Sequence, residues 1–151
     1  MTRVRVDRDV AASAHQVWAL LTDWPSHGRW VPLTRVRTTS ARPDGVGASF
    51  VGRTAVGPLG FDDPMTVTLW QPPTAVEPGR CTVRKSGRVV LGEAGFVVEP
   101  VGATRCRLTW VEDIEVAGVR RLPFAGAVTR WAGARAFGAM LRKVAREAER
   151  A

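Results

Sequence analysis

From about Pro123 to Arg150 the chain carries alanines, large apolar residues and arginines at helical spacing, with no proline after the first position. Phe137, Leu141, Val144 and Ala148 form one stripe, at alternating steps of four and three. Phe124, Val128 and Trp131 form a second, displaced around the axis. A helix of about 26 residues is about 40 Å long. Nothing upstream reads as a helix of similar length, so this one has no helical partner to match it. Its wide apolar face must lie against a sheet.

The preceding chain supplies one. Val4, Val6 and Val10 alternate with charges and read as a first strand. Ser13-Ala14-His15-Gln16 has the form of a capping box and opens a short helix to about Thr22. Asp23-Trp24-Pro25 starts a second short helix ending near Trp30, because proline suits a first helical turn and ends what precedes it. Strands then follow over 33–39, 46–56, 61–70, 80–85, 89–99 and 104–116, separated by turns such as Arg42-Pro43-Asp44-Gly45 and Gly57-Pro58-Leu59-Gly60. In the strand over 61–70, Met65, Val67 and Leu69 alternate against Thr66, Thr68 and Trp70. Six strands with short connections make an antiparallel meander, which twists, curls and takes the long helix on its concave side. The expectation is an α+β fold: a seven-stranded curved antiparallel sheet around a long C-terminal helix, with two short helices between strands one and two. Residues 1–151 read as one domain.

Composition narrows the function classes. Hydrophobic residues make up 45% and charged residues 24%, as in ordinary globular proteins. The N-terminal segment alternates charge with valine and lacks the apolar core of a signal peptide. No apolar run is long enough to span a bilayer, so stable membrane insertion is not expected. Cys81 and Cys106 fit no disulfide framework; they fall on strands separated by a third, about 10 Å apart, too far for a bridge. Reduced thiols point to the cytoplasm. The net charge is +8, and +6 of it lies between Arg120 and Ala151, mostly on the polar side of the last helix. With no recognition helix or aromatic stacking platform beside it, this charge gives no nucleic-acid reading. An acidic protein or an anionic membrane surface remains a candidate contact. His15 and His27 have no ligand at metal spacing, and there is no nucleophile elbow or phosphate loop, so neither a metal nor a cofactor is expected.

The element order resembles the START-like superfamily, whose helix-grip fold serves lipid-transfer domains, birch-pollen-allergen-like proteins and polyketide cyclases. The segment Val10-Ala11-Ala12-Ser13-Ala14-His15-Gln16-Val17-Trp18-Ala19-Leu20-Leu21-Thr22-Asp23, followed by Trp30-Val31-Pro32, is similar to the opening of the bacterial polyketide cyclase/dehydrase and lipid-transport branch. Gly95-Phe96-Val97-Val98-Glu99-Pro100, then Gly102-Ala103-Thr104-Arg105 and Thr109-Trp110, is similar to its late strand pair. The resemblance implies an apolar cavity between sheet and final helix that takes a lipid-like or polycyclic molecule. On that reading Phe50, Met65, Val67, Phe96, Trp110, Phe137 and Leu141 are the candidate apolar contacts, with Trp70 as a further aromatic.

Two polar residues break the apolar pattern. Glu112 shares a strand face with Cys106, Leu108, Trp110, Ile114 and Val116. It either reaches solvent or a backbone amide near the strand end, or acts as a cavity acid or base. Arg130 lies one heptad before Phe137 and continues its stripe. It either reaches out at the helix end, or enters the cavity to pair with Glu112 or hold a ligand oxygen. Asp63 shares the parity of Met65 but precedes Pro64 near a turn, which suggests a solvated strand entrance. The leading functional expectation is a carrier for a hydrophobic small molecule, oriented by Glu112 and Arg130. The alternative is a polyketide cyclase, aromatase or dehydratase using the same two residues as catalytic groups, although the chain has no tyrosine to serve as an acid. A third class is a protein-interaction module that uses the basic helix face. The residues do not indicate oligomeric state.

Overall fold

The computed structural model describes residues 2–118 and 124–151. Strand β1 (Thr2–Val10) leads into helix α1 (Ala14–Leu21), a 3-10 turn (Trp24–Ser26) and the one-turn helix α2 (His27–Trp30). Strands β2 (Thr34–Thr38), β3 (Ser49–Val56), β4 (Leu59–Gln71), β5 (Gly79–Ser86), β6 (Val90–Gly102) and β7 (Arg105–Val116) follow, then helix α3 (Ala125–Arg150). The expected start of that helix at Pro123 lies outside the described residues. The sheet is antiparallel, in the order β1-β7-β6-β5-β4-β3-β2, so β1 is added beside β7, and β1 and β2 are its two edges.

Local chemistry accounts for the turn into α1. The Ser13 hydroxyl accepts from the Gln16 amide at 3.1 Å while the Gln16 side chain accepts from the Ser13 amide at 2.9 Å, satisfying two donors that the first helical turn leaves open. Helix α1 then buries Val17, Trp18 and Leu21.

Strand β4 differs from the simple alternation expected of it. A register shift between Val67 and Leu69 inserts one residue, so Trp70 lies opposite Cys81 on the inner face and Leu69 turns out to solvent. Trp70 packs edge-on against Trp18 with ring centroids 5.2 Å apart.

Helix α3 is anchored through its C-terminal half. Leu141, Val144, Ala145 and Ala148 are fully or almost fully buried. Glu147 accepts from Trp30 Nε1 at 2.6 Å and pairs with Arg29, and Glu149 accepts from the Ala11 amide at 2.9 Å. Further back the contacts thin out. At Gly133 a β-carbon would stand only 3.0 Å from Val4, near the beginning of β1. Towards its N-terminus the helix is largely exposed. Accordingly the stripe of Phe124, Val128 and Trp131 is exposed at 84%, 59% and 65%. It packs against nothing in the described core, in contrast to the burial its pattern suggests.

Candidate functional site

Residues directly opposite one another in neighbouring strands point to the same face, so the inner surface can be read in rows. One row runs Trp70, Cys81, Phe96, Trp110, and the next runs Val67, Val83, Ala94, Glu112, Val4. The third runs Phe50, Met65, Lys85, Gly92, Ile114. Between the large aromatics of the first row and the polar groups of the others, β6 offers only Ala94 and Gly92. Gly92 has φ +128°, and a β-carbon there would come 2.2 Å from the Asp113 carbonyl oxygen, so no side chain can fill that point. The missing side-chain volume opens a cavity of about 250 Å³ under α3.

Its walls are mostly apolar. Phe96 stacks on Trp110 at 5.9 Å and Trp110 on Phe137 at 6.1 Å, carrying one aromatic surface from sheet to helix. Trp24 stacks on Phe50 at 4.2 Å on the far side. Met65 and Met140 complete the lining.

Three charged-type residues stand among these rings. The Lys85 ammonium donates to Asp63 Oδ2 at 2.6 Å and lies 3.5 Å from the Met65 sulfur, with its side chain only 8% exposed. Glu112 is 4% exposed, and its hydrogen bond among the described residues comes from Trp110 Nε1 at 3.3 Å. Burial raises the Glu112 pKa above its ordinary value. The Lys85 charge and the Trp110 hydrogen bond act against this, and the Asp63 charge adds to it. His27 also lines the cavity. Its Nε2–H donates to the Leu21 carbonyl at 2.7 Å, and burial depresses its pKa to about 4, so the ring is neutral near pH 7. Among the described residues no three His, Cys, Asp or Glu side chains converge as a metal site.

Of the residues singled out in the sequence, Phe50, Met65, Phe96, Trp110, Glu112 and Phe137 line this cavity. Val67 and Leu141 are buried beside it in the packed core rather than on its wall. Arg130 does not enter: it is exposed, in the N-terminal part of α3, and is not among the residues that line the cavity. Trp70 packs against Trp18 outside the lining. Asp63 is not a solvated strand entrance, because Lys85 draws it inward as a largely buried ion pair. Lys85 is the residue that sequence reasoning passed over. It shares parity with Cys81 and Val83, and that alternation was the available signal.

A curved antiparallel sheet gripping one long helix over an apolar cavity defines a START-like helix-grip protein. The family model for polyketide cyclase / dehydrase and lipid transport matches residues 1–149, and the chain belongs to that family. Among solved structures, the Zhui aromatase/cyclase from Streptomyces sp. R1128 is 22% identical, with a TM-score of 0.68 over 98% of this chain and 93% of that one. A START superfamily protein from Mycobacterium smegmatis is 17% identical, with a TM-score of 0.75 over 99% of both chains. A protein from Thermus thermophilus, TTHA0849, is 14% identical, with a TM-score of 0.68 over 95% of this chain and 94% of that one. At these identities the structural likenesses establish the fold. No curated protein matches the chain.

Proposed function

We propose that this protein binds an apolar small molecule in the cavity between its sheet and α3. The observation that carries this reading is a space of about 250 Å³ walled by Trp110, Phe96, Phe50, Phe137 and the two methionines. Apolar burial at roughly 25 cal/mol per Å² supplies the affinity, less the costs of ordering. Ligand pockets usually fall at about 300–1,000 Å³, so this one suits a bicyclic molecule or a short chain rather than a two-chain lipid. Native mass spectrometry of protein purified from its own host tests the reading. A small apolar molecule should travel with the folded protein and leave on unfolding. A preparation that carries none, and that takes up no apolar probe, would contradict it.

A second reading, supported by the Lys85–Asp63 pair standing near Glu112, is a cyclase or dehydratase acting on a bound ketone chain. Lys85 would stabilise a developing enolate and Glu112 would move the proton. Here Lys85 takes the part first given to Arg130. Unchanged turnover of an authentic substrate by Glu112→Gln would remove Glu112 from that role.

A further inference from the structure

We infer that the Lys85 ammonium and the Glu112 carboxyl group together hold one neutral carbonyl oxygen of the apolar ligand, and that the cavity selects such ketones, quinones or esters over carboxylates and amines. This rests on the apolar-binding reading and names the polar end that the ligand must carry.

The polar groups of the cavity hold unused hydrogen-bonding capacity. An ammonium has three donors. One of Lys85's goes to Asp63 Oδ2 at 2.6 Å and one points to the weak acceptor Met65 Sδ at 3.5 Å, which leaves one. Glu112 is almost wholly buried and accepts from Trp110 Nε1 on Oε1. The charges that act on it are those of Lys85, the stronger, and Asp63, and these two are paired with each other. Burial favours the protonated form of a carboxyl group so placed, and in that form it is a donor. The two groups lie on β5 and β7, on adjacent inward-facing rows with β6 between them. The inward positions of β6 between them are Ala94 and Gly92, and both Lys85 and Glu112 line the cavity left above these small residues.

Charge then decides which oxygen. Lys85 and Asp63 sum to zero, and protonated Glu112 adds nothing. A ligand carboxylate would put one uncompensated negative charge among aromatic rings, and an ammonium ligand would meet Lys85 directly. A carbonyl oxygen accepts both donors and leaves the cavity neutral. The flat surface formed by Phe96, Trp110 and Phe137 would take the attached apolar skeleton.

Calorimetric titration with three probes on one skeleton tests this at pH 7: 2-acetylnaphthalene, 2-ethylnaphthalene and 2-naphthoate. The ketone should bind at least about tenfold more tightly than the hydrocarbon, since one charge-assisted hydrogen bond from Lys85 predicts that much and a second bond from Glu112 adds to it, and the carboxylate should bind more weakly than the ketone. The infrared carbonyl stretch of bound 2-acetylnaphthalene should lie below its value in hexane. Lys85→Met alone would strand Asp63, so the charge-balanced variant Lys85→Met/Asp63→Asn is used, together with Glu112→Leu. In each the ketone preference should fall toward unity, while 2-ethylnaphthalene binding persists. Equal binding of ketone and hydrocarbon by the native protein, tighter binding of 2-naphthoate, or a preference unchanged in both variants would overturn the inference and leave apolar binding intact. If 2-ethylnaphthalene and the ketone both fail to bind, the apolar-binding reading falls with it.

Discussion

Lys85 Nζ lies 2.6 Å from Asp63 Oδ2, an ion pair joining β5 to β4 with both side chains largely withdrawn from water. Such a pair contributes little net stability against an apolar replacement, but losing one partner leaves a buried charge uncompensated. Lys85→Met should therefore destabilise the fold by about 3–5 kcal/mol, whereas Lys85→Met/Asp63→Leu should cost much less. Urea unfolding of the single and double variants measures the difference. Equal losses in both would mean that the pair is solvated.

Glu112 and His27 give opposite pH dependences. The Glu112 pKa is raised in the folded state, so its contribution is fully present below the unfolded value near 4.5 and is lost as pH rises through the folded pKa. His27 is depressed from 6.5 to about 4, so the unfolded chain binds its proton first and stability falls as pH drops through that interval. Urea midpoints against pH should show Glu112→Gln flattening the loss of stability as pH rises above 4.5, and His27→Gln flattening the loss as pH drops from 6.5 to about 4. A profile unmoved by either substitution would place both groups in water.

The two stripes of α3 should differ sharply in energy. Leu141→Ala removes a fully buried side chain and should cost about 2–5 kcal/mol. Phe124→Ala and Trp131→Ala remove exposed ones and should change stability by less than about 0.5 kcal/mol. Thermal or chemical melts of the three variants decide this.

Burial pushes the Cys81 thiol up to about 12 and the Cys106 thiol up to about 11. Thiolate is the reactive form, so both should resist a thiol reagent at pH 8 in the folded protein and react fully once it is unfolded in denaturant. Rapid labelling of either in native protein would contradict their placement.

These contrasts also mark how far the residues could be read in advance. The strand and helix order was legible because period-two valines, proline-glycine turns and one long amphipathic stripe leave few alternatives. Glu112 was legible too, since strict alternation in β7 puts it beside Trp110 on the inner face. Lys85 obeys the same rule in β5, but a lysine at a strand end is usually solvated, and its partner Asp63 lies 22 positions back. Their meeting depends on strand register, which a sequence does not print. The inserted residue at Val67–Leu69 has the same character, because it moves Trp70 inward against the alternation. Arg130 shows a different limit: its heptad position puts it on the Phe137 stripe, but periodicity alone left open whether it enters the cavity or reaches out, and it is exposed.

A variant that fills the cavity decides whether the ligand occupies it. Ala94 sits in the gap between Val83 and Glu112, where a larger side chain would take up the space a ligand needs. Calorimetric titration of 2-ethylnaphthalene into the native protein at several temperatures should show one site with a negative heat-capacity change, the mark of apolar burial. Ala94→Leu should stay folded by circular dichroism and bind at least tenfold more weakly. Equal binding by the folded variant, or no binding by the native protein, would contradict a ligand site between the sheet and α3.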